Sequence, residues 1–302
     1  MPAARASQAA LRYNRAFPLA AAVPMHLVIQ GKDIATTDLK HIAKLTAAAA
    51  IEQVTPRAFR LRDAQPHDDV MKACAAAELD CAYVPDGRQL ADFRLLVMDM
   101  DSTLITIETI DELADMQGLK PQVAAITAQA MRGEIEYNES LVRRVALLKG
   151  LDESAMARVY DERLKLSPGA EQLLDAAREA GLKTLLVSGG FTSITDRLKM
   201  RLELDYTRSN TLAVSGGRYT GAIIGDIVNA DIKRDELLRV RAELGATRDQ
   251  VIAIGDGAND LKFMAEATVS IAYHAKPVVR QHATYALNHV GLDGVLPLFQ
   301  WP

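Results

Sequence analysis

The sequence has little cysteine, with only Cys74 and Cys81 among its 302 residues. Two cysteines are too few for a disulfide framework, and these two lack the spacing of a zinc site. We therefore expect both to be buried free thiols. This expectation favours a reducing compartment, and we predict the cytoplasm.

Dense basic runs and long apolar stretches are also lacking. The net charge of -4 and the pI near 5.9 argue against a nucleic acid as partner. No uninterrupted apolar stretch reaches the ~18 residues that a membrane span requires, which argues against a membrane partner. What remains is ordinary globular composition, 49% hydrophobic and 25% charged, with a length that suggests about two domains.

The segments before residue 93 differ in character. Residues 1–24 hold three arginines and no acid, and we expect an extension that is disordered or untranslated, with a transit peptide as the alternative. Residues 25–92 alternate strand and helix patterns, which predicts a small α+β domain. A regulatory, a dimerisation and a purely structural role stay open for this domain, so a homodimer is one expected assembly.

Residues 93–302 carry a different pattern, in which apolar strands alternate with amphipathic helices. Such strands indicate an α/β fold with a doubly wound parallel sheet covered on both faces. Residues 106–166, directly after the first strand of this region, are mostly helical in pattern. We expect them to form a helical cap inserted into the sheet domain.

Three of these strands end in reactive or turn-forming residues, in "VMDMDST", "LLVSGG" and "AIGDGAND". Parallel strands carry such ends to one edge of the sheet, so Asp99, Asp101, Ser188, Asp256 and Asp260 should converge there. Several carboxylates in one crevice require a counter-charge. An oxygen-only ligand set suits Mg²⁺, whereas zinc would call for His or Cys.

The combination resembles the haloacid dehalogenase-like phosphohydrolases. The matching segments are "DMDST" at 99–103, Ser188, Lys233 and "GDGAND" at 255–260, in the family's order. The resemblance implies that Asp99 is a nucleophile that accepts the phosphoryl group and that Asp101 is the acid and base. It also implies that Ser188 and Lys233 hold the phosphoryl oxygens.

The same resemblance implies a metal site. Magnesium would be held by the Asp99 carboxylate, the Asp101 main-chain carbonyl and Asp256. Asp260 would support the metal or its waters from the second layer of ligands.

A narrower resemblance covers about residues 93–293. "DMDSTLITIETIDELAD", "YNESLVRRVALLKGL", "VSGGFT" and "YTGAIIGDIVNADIK" are similar to the phosphoserine phosphatases. That family implies O-phosphoserine as substrate, with Glu108 on the amino group and Arg144 on the carboxylate. Gly189 and Asn259 would complete the pocket through a backbone N–H and a side-chain amide. Arg143, the neighbour of Arg144, leaves the choice of arginine open.

The resemblance implies the last step of serine biosynthesis, but other functions stay open. One alternative is a phosphatase or phosphotransferase for another small phosphomonoester. A signalling receiver also accepts phosphate on an Asp at a strand end. Asp101 and the cap argue against a receiver, because an acid/base poised to hydrolyse the phospho-Asp would shorten its life.

Overall fold

The computed structural model describes residues 25–300, so the expected extension 1–24 lies outside the described residues. Eleven strands are described: β1 (Met25–Gln30), β2 (Ala50–Thr55), β3 (Ala58–Arg62), β4 (Asp80–Pro85), β5 (Leu95–Met98), β6 (Lys183–Phe191), β7 (Tyr206–Ser215), β8 (Arg218–Ile224), β9 (Val251–Gly255), β10 (Val269–Tyr273) and β11 (Tyr285–Leu287).

The same residues form eleven α-helices: α1 (Thr36–Leu45), α2 (Val70–Ala76), α3 (Thr109–Asp115), α4 (Lys120–Met131), α5 (Tyr137–Ala146), α6 (Ser154–Arg158), α7 (Ala170–Glu179), α8 (Thr192–Leu202), α9 (Ala230–Glu243), α10 (Leu261–Met264) and α11 (Pro277–Arg280). Short 3-10 helices lie at Leu90–Asp92, Arg248–Gln250, Ala258–Asp260 and Leu292–Leu298, and a π-helical turn at Val159–Arg163 follows α6.

The larger sheet confirms the predicted α/β fold. Its seven strands follow the order β11-β10-β9-β5-β6-β7-β8, and every neighbouring pair is parallel except the hairpin β7–β8. Strands β5, β6 and β9 occupy the middle of this order. The carboxyl ends of these central strands therefore lie at the same edge of the sheet, where a doubly wound sheet binds its ligands.

Strand β5 shows why the sheet is covered on both faces. Leu96 and Met98 pack into one hydrophobic cluster, while Leu95 and Val97 pack into another, and all four are buried. Side chains alternate between the faces of a strand. A continuous apolar run is therefore what a strand between two layers of helices requires.

Helices α3 to α6 and the π-helical turn fill the predicted insert between β5 and β6. Ile105 and Leu166 form an antiparallel bridge, and the Thr106 amide donates to the Lys165 carbonyl at 3.0 Å. The two ends of the insert are thus joined at its base. Farther out, the Gly150 amide donates to the Tyr219 carbonyl at 2.8 Å, so these helices also lean on the β7–β8 hairpin.

The smaller sheet is antiparallel, with the order β2-β3-β1-β4 and helices α1 and α2 in a βαββαβ arrangement. In β1, Leu27 and Ile29 pack with these helices, whereas Val28 belongs to a hydrophobic cluster of the larger domain. The small domain therefore shares a core with the larger domain. Arg60 strengthens the contact, because its Nη2 donates to the carbonyls of Pro297 and Phe299 at 3.1 and 2.8 Å.

Two further expectations concern cysteine and membranes. Cys74 is buried, Cys81 is half-buried rather than buried, and both are free thiols. Across residues 25–300, none of the helices combines the length and the apolar character needed to cross a bilayer.

Candidate active site

Three carboxylates meet at the edge of the larger sheet. Asp99 follows β5 directly, and its amide donates to the Ile254 carbonyl of β9 at 3.1 Å, which aligns the ends of the two strands. Oxygen atoms of Asp99, Asp256 and Asp260 all lie within 4.8 Å of one another. Parallel pairing of β5 and β9 therefore places Asp99 beside the segment that carries Asp256 and Asp260.

Lys233 lies inside this cluster although it occupies the first turn of α9, where a lysine is ordinarily solvated. The helix begins at Ala230 because the Asn229 side chain accepts the amides of Asp231 and Ile232 at 3.0 and 3.1 Å. In the helix that begins at this cap, Lys233 points into the protein and is 0% exposed. Its Nζ donates to Asp99 Oδ1 at 2.7 Å and to Asp260 Oδ1 at 2.8 Å.

Asp260 differs from the other two carboxylates because both of its oxygens are engaged. Oδ1 accepts from Lys233, and Oδ2 accepts the amides of Asp256 and Gly257 at 3.2 and 3.0 Å. Asp256 Oδ1 accepts from the Thr103 hydroxyl at 3.1 Å. Among residues 25–300, Asp99 and Asp256 each keep one carboxylate oxygen without a hydrogen-bond donor, as a hard divalent cation would require.

Asp101 lies beside this cluster and is held by one residue of the insert. Its Oδ1 accepts the Thr109 amide at 3.3 Å and its Oδ2 accepts the Thr109 hydroxyl at 3.2 Å. A Cβ added to Gly190 would lie 3.1 Å from both Asp101 Oδ2 and Ser188 Oγ. Asp101 and Ser188 are therefore near neighbours, and the carboxyl end of β6 can approach this closely because position 190 has no side chain.

Burial and crowding shift the protonation of these groups. Burial raises the pKa of Asp99, with Asp260 adding to it, and burial also raises the pKa of Asp101, with Glu108 and Asp99 adding to it. The pKa of Asp256 rises to about 6, because of its burial and the nearby charge of Asp260. Burial alone would lower the pKa of Lys233, but Asp260 and Asp99 outweigh it and raise this pKa.

One protonated lysine thus faces several carboxylates that repel each other. Each of the three raised pKa values marks a negative charge that the protein environment does not fully offset. The donor set consists only of oxygens, and it fits Mg²⁺ better than zinc. The site therefore suits a bound divalent cation.

The residues expected to grip the substrate lie farther out. Glu108 is exposed and accepts a hydrogen bond from the Ser102 hydroxyl at 2.8 Å, and its charge contributes to the raised pKa values of Asp101 and Asp256. Arg144, on α5, is half-buried and makes only a 3.4 Å hydrogen bond from Nε to the Ser140 carbonyl among the described residues.

The two neighbouring arginines on α5 are held differently. Arg143 is exposed and its Nη2 forms an ion pair with Glu139 at 2.5 Å. Arg144 is half-buried instead, and its charge lowers the pKa values of Asp111 and Tyr137 against the effect of their burial. This difference favours Arg144 over Arg143 as a group available to a ligand.

Tyr137, the first residue of α5, reaches across to the sheet edge. A Cβ added to Gly189 would lie 2.1 Å from the Tyr137 hydroxyl oxygen, so the phenol lies against the backbone at the carboxyl end of β6. Burial raises the pKa of this phenol, while Lys233 and Arg144 lower it. Tyr137 therefore joins the insert to the carboxylate cluster.

Comparisons with known proteins agree with this geometry. The family model "haloacid dehalogenase-like hydrolase" matches residues 93–268, and a domain of unknown function, DUF4072, matches residues 27–70. A curated phosphoserine phosphatase of Polaromonas sp. is 54% identical over 215 residues, which are 70% of this chain and 91% of that protein.

Solved structures are also similar over most of the chain. A haloacid dehalogenase family hydrolase of Salmonella enterica has a TM-score of 0.82 at 32% identity, covering 92% of this chain and 99% of that one. A probable phosphoserine phosphatase of Vibrio cholerae has a TM-score of 0.80 at 34% identity, covering 96% and 92%. The chain belongs to the haloacid dehalogenase-like hydrolases.

In this haloacid dehalogenase-like hydrolase, the sequence-predicted residues fall into two groups. The structure brings one group together at the sheet edge: Asp99, Asp101, Ser188, Lys233, Asp256 and Asp260. Glu108 and Arg144 lie around this group without a hydrogen bond or an ion pair to it among the described residues. Asn259 is half-buried in the short 3-10 helix that follows β9.

Sequence reasoning missed several residues that position the site of this hydrolase. Thr109 holds Asp101, Thr103 holds Asp256, and Tyr137 touches Gly189. Buried Asn210 was also missed: its Nδ2 donates to the Gly189 carbonyl and its Oδ1 accepts the Val228 amide, both at 2.8 Å. Only Thr103 carried a signal, since it closes the "DMDST" segment.

Proposed function

We propose that this haloacid dehalogenase-like hydrolase is a phosphoserine phosphatase that hydrolyses O-phosphoserine to serine and phosphate, the last step of serine biosynthesis. The observation that carries the proposal is the buried Asp99 carboxylate, which Lys233 holds through one oxygen at 2.7 Å. The relatives support the substrate, since curated phosphoserine phosphatases are 42–54% identical to the chain.

In the first step, the free oxygen of Asp99 attacks phosphorus, and the bond from phosphorus to the serine oxygen breaks. Asp101 gives its proton to that oxygen, and its raised pKa supports a carboxyl that is protonated at this stage. The products are serine and an aspartyl-phosphate on Asp99. Thr109 keeps the Asp101 carboxyl aimed, because it contacts both oxygens.

In the second step, water attacks phosphorus and gives a proton to Asp101. The bond from phosphorus to the Asp99 oxygen breaks, which releases phosphate and restores the carboxylate. Lys233 and Ser188 lie where they can hold the phosphoryl oxygens through both steps. Lys233 has no exposed surface, so its charge acts in a site screened from water.

The donor set fits Mg²⁺, with Asp99, Asp256 and the Asp101 main-chain carbonyl as ligands. When bound, Mg²⁺ would offset the charge that develops on the phosphoryl group. Asp260 is proposed as a support rather than a ligand, because Lys233 and two amides already occupy its carboxylate.

The proposed substrate contacts lie on the insert. Glu108 would hold the serine ammonium group, and Arg144 would hold the carboxylate with a planar pair of N–H donors. The Gly189 amide and the Asn259 side chain would complete the pocket. Tyr137 would close the insert over the substrate, since its hydroxyl already lies against Gly189.

We also propose a compartment and the bounds of the cap. Two free thiols support a reducing compartment, which we propose to be the cytoplasm. The bridge between Ile105 and Leu166 supports a cap that spans residues 106–166.

Phosphate release from O-phosphoserine, with Mg²⁺ and with a chelator, tests the proposal. We expect turnover that requires Mg²⁺ and a kcat/KM for O-phosphoserine at the top of a panel of small phosphomonoesters. Asp99→Asn should abolish turnover and leave the circular dichroism spectrum unchanged. A panel in which another ester is clearly preferred would contradict the substrate, and an active Asp99→Asn variant would contradict the chemistry.

A further inference from the structure

A second cavity, separate from the carboxylate cluster, lies between the small domain and the larger one. Its volume is about 1090 Å³. The turn between β2 and β3 and residues near the end of β1 form one wall. The other wall contains Ser102, Ser167 and the segment 289–297. A cavity of this size at a domain boundary is typical of a small-molecule site.

Cationic side chains dominate the charged lining of this interdomain cavity. Lys32 and Arg57 are exposed and have no side-chain partner among residues 25–300. Of the two acidic residues in the lining, Glu52 is paired with Arg62 at 2.6 Å, which leaves Asp293. The unpaired charges therefore favour a negatively charged occupant.

Arg60 adds a buried cation to the same wall. It is 6% exposed, and its Nη2 is used by two carbonyl groups of the C-terminal segment. Its Nε is buried without a hydrogen-bond partner among the described residues. Burial lowers the pKa of this guanidinium, which indicates that its charge is not fully compensated. A nearby anion would reduce that cost.

We propose that this interdomain cavity binds a small organic oxyanion, with a carboxylate or phosphate group placed against Lys32, Arg57 and Arg60. The two exposed cations would contact the ligand directly, and Arg60 would contribute its field from the wall. The inference does not depend on the proposed phosphatase activity, because none of these three residues belongs to the carboxylate cluster.

The cavity also lies close to the base of the insert. The lining residue Ser102 donates to Glu108, and the lining residue Ser167 directly follows the segment that closes the insert. The cavity therefore borders the small domain, the loop after Asp101 and the base of the insert.

Isothermal titration calorimetry on the full chain at neutral pH tests the proposal, with succinate and methylphosphonate as probes for the carboxylate and phosphate forms. We expect at least one probe to bind with a Kd below about 10 mM. In the double variant K32Q/R57Q, its affinity should fall about tenfold or more, because two charge-assisted contacts are lost. Arg60 is left intact, since it joins the two domains.

The matched control is K40Q/K44Q, which removes the same charge from exposed positions of α1 in the same domain. It should bind the probe within about twofold of the wild type. Both double variants should keep their phosphate release from O-phosphoserine, so a failure of the proposed activity remains a separate result. Absence of binding by both probes, or equal affinities in the two double variants, would overturn the proposal.

Discussion

The core side and the cap side of the candidate active site are held very differently. On the core side, Lys233 and Asp260 are 0% exposed and joined at 2.8 Å. On the cap side, Glu108 is exposed, and Arg144 makes one hydrogen bond at 3.4 Å among the described residues. The chemistry of phosphoryl transfer is thus preassembled, whereas the groups that would recognise serine still have free donors and acceptors.

This difference suggests a division of labour. Charges fixed in a buried site need no reorganisation during the reaction, so the core side should govern kcat. The cap side makes its contacts only when substrate supplies the missing partners, so it should govern KM and the choice of ester. Substitutions on the two sides should therefore separate these two kinetic constants.

Lys233→Met should have the largest effect, because Lys233 is the one cation bonded to Asp99 among residues 25–300. We expect kcat for O-phosphoserine to fall about a thousandfold. Steady-state kinetics and a melting curve would measure the loss and show that the protein is folded. Lys262→Met is the control, since Lys262 pairs with Asp231 at the surface. A folded Lys233→Met variant with kcat within about tenfold of the wild type would contradict the role of the core side.

Arg144→Ala should impair substrate recognition by the cap side and leave the core side unchanged. We expect kcat/KM for O-phosphoserine to fall about a hundredfold, mostly through KM, because a bidentate contact to the carboxylate is lost. Activity on p-nitrophenyl phosphate, which has no amino-acid group, should hardly change. Arg143→Ala is the matched control. Equal losses of activity on both esters, or a larger effect of Arg143→Ala, would contradict Arg144 as the group that binds the substrate carboxylate.

The pKa of Asp256, raised to about 6, gives the metal site a pH dependence. Because the folded protein favours the protonated form of Asp256, protonation of this carboxylate stabilises the folded protein at low pH. That contribution to the free energy of unfolding is lost as the pH rises through about 6. Mg²⁺ binds the ionised form and should restore that stability. Mg²⁺ affinity should therefore be about tenfold weaker at pH 5 than at pH 7.

Thermal unfolding with and without Mg²⁺ at the two pH values measures this effect. The increase in Tm on adding Mg²⁺ should be clearly larger at pH 7 than at pH 5. Asp256→Asn should abolish most of the increase at both values. An increase in Tm that does not depend on pH would argue against Asp256 as a ligand.

Tyr137→Phe should have the smallest effect, since it removes only a hydroxyl that bridges the two sides of the site. We expect kcat/KM for O-phosphoserine to fall about fivefold, because the contact between this hydroxyl and Gly189 is lost. Tyr160→Phe is the control, because Tyr160 also lies on the insert but stacks under Arg197, away from the site. Identical kinetics in Tyr137→Phe and wild type would leave Tyr137 without a role in closure.

The core side was predictable from sequence because its residues end parallel strands. Asp99, Ser188 and Asp256 each follow an apolar run, and strand pairing alone brings such positions together. The place of Lys233 in the site could not be predicted from the sequence pattern. Its burial depends on the Asn229 cap and on carboxylates from other segments of the chain. The family resemblance, not its place in the helix, singled it out.

Other features could not be read from pattern. Tyr137, Thr109 and Asn210 belong to segments whose local sequence carries no catalytic signal, and only the packed chain places them at the site. The shared core of the two domains had a signal, since the three consecutive apolar residues Leu27–Ile29 in "HLVIQ" are consistent with a strand covered on both faces. That signal was present but does not identify the covering partner.

Chemical trapping of the phosphoenzyme tests the central claim most directly. Wild-type protein mixed with radiolabelled O-phosphoserine and Mg²⁺ would be quenched in acid during turnover, digested and sequenced by mass spectrometry. We expect one phosphoryl group on Asp99, released by hydroxylamine and absent from Asp99→Asn. A phosphoryl group on another residue, or rapid turnover with no label on Asp99, would contradict Asp99 as the nucleophile.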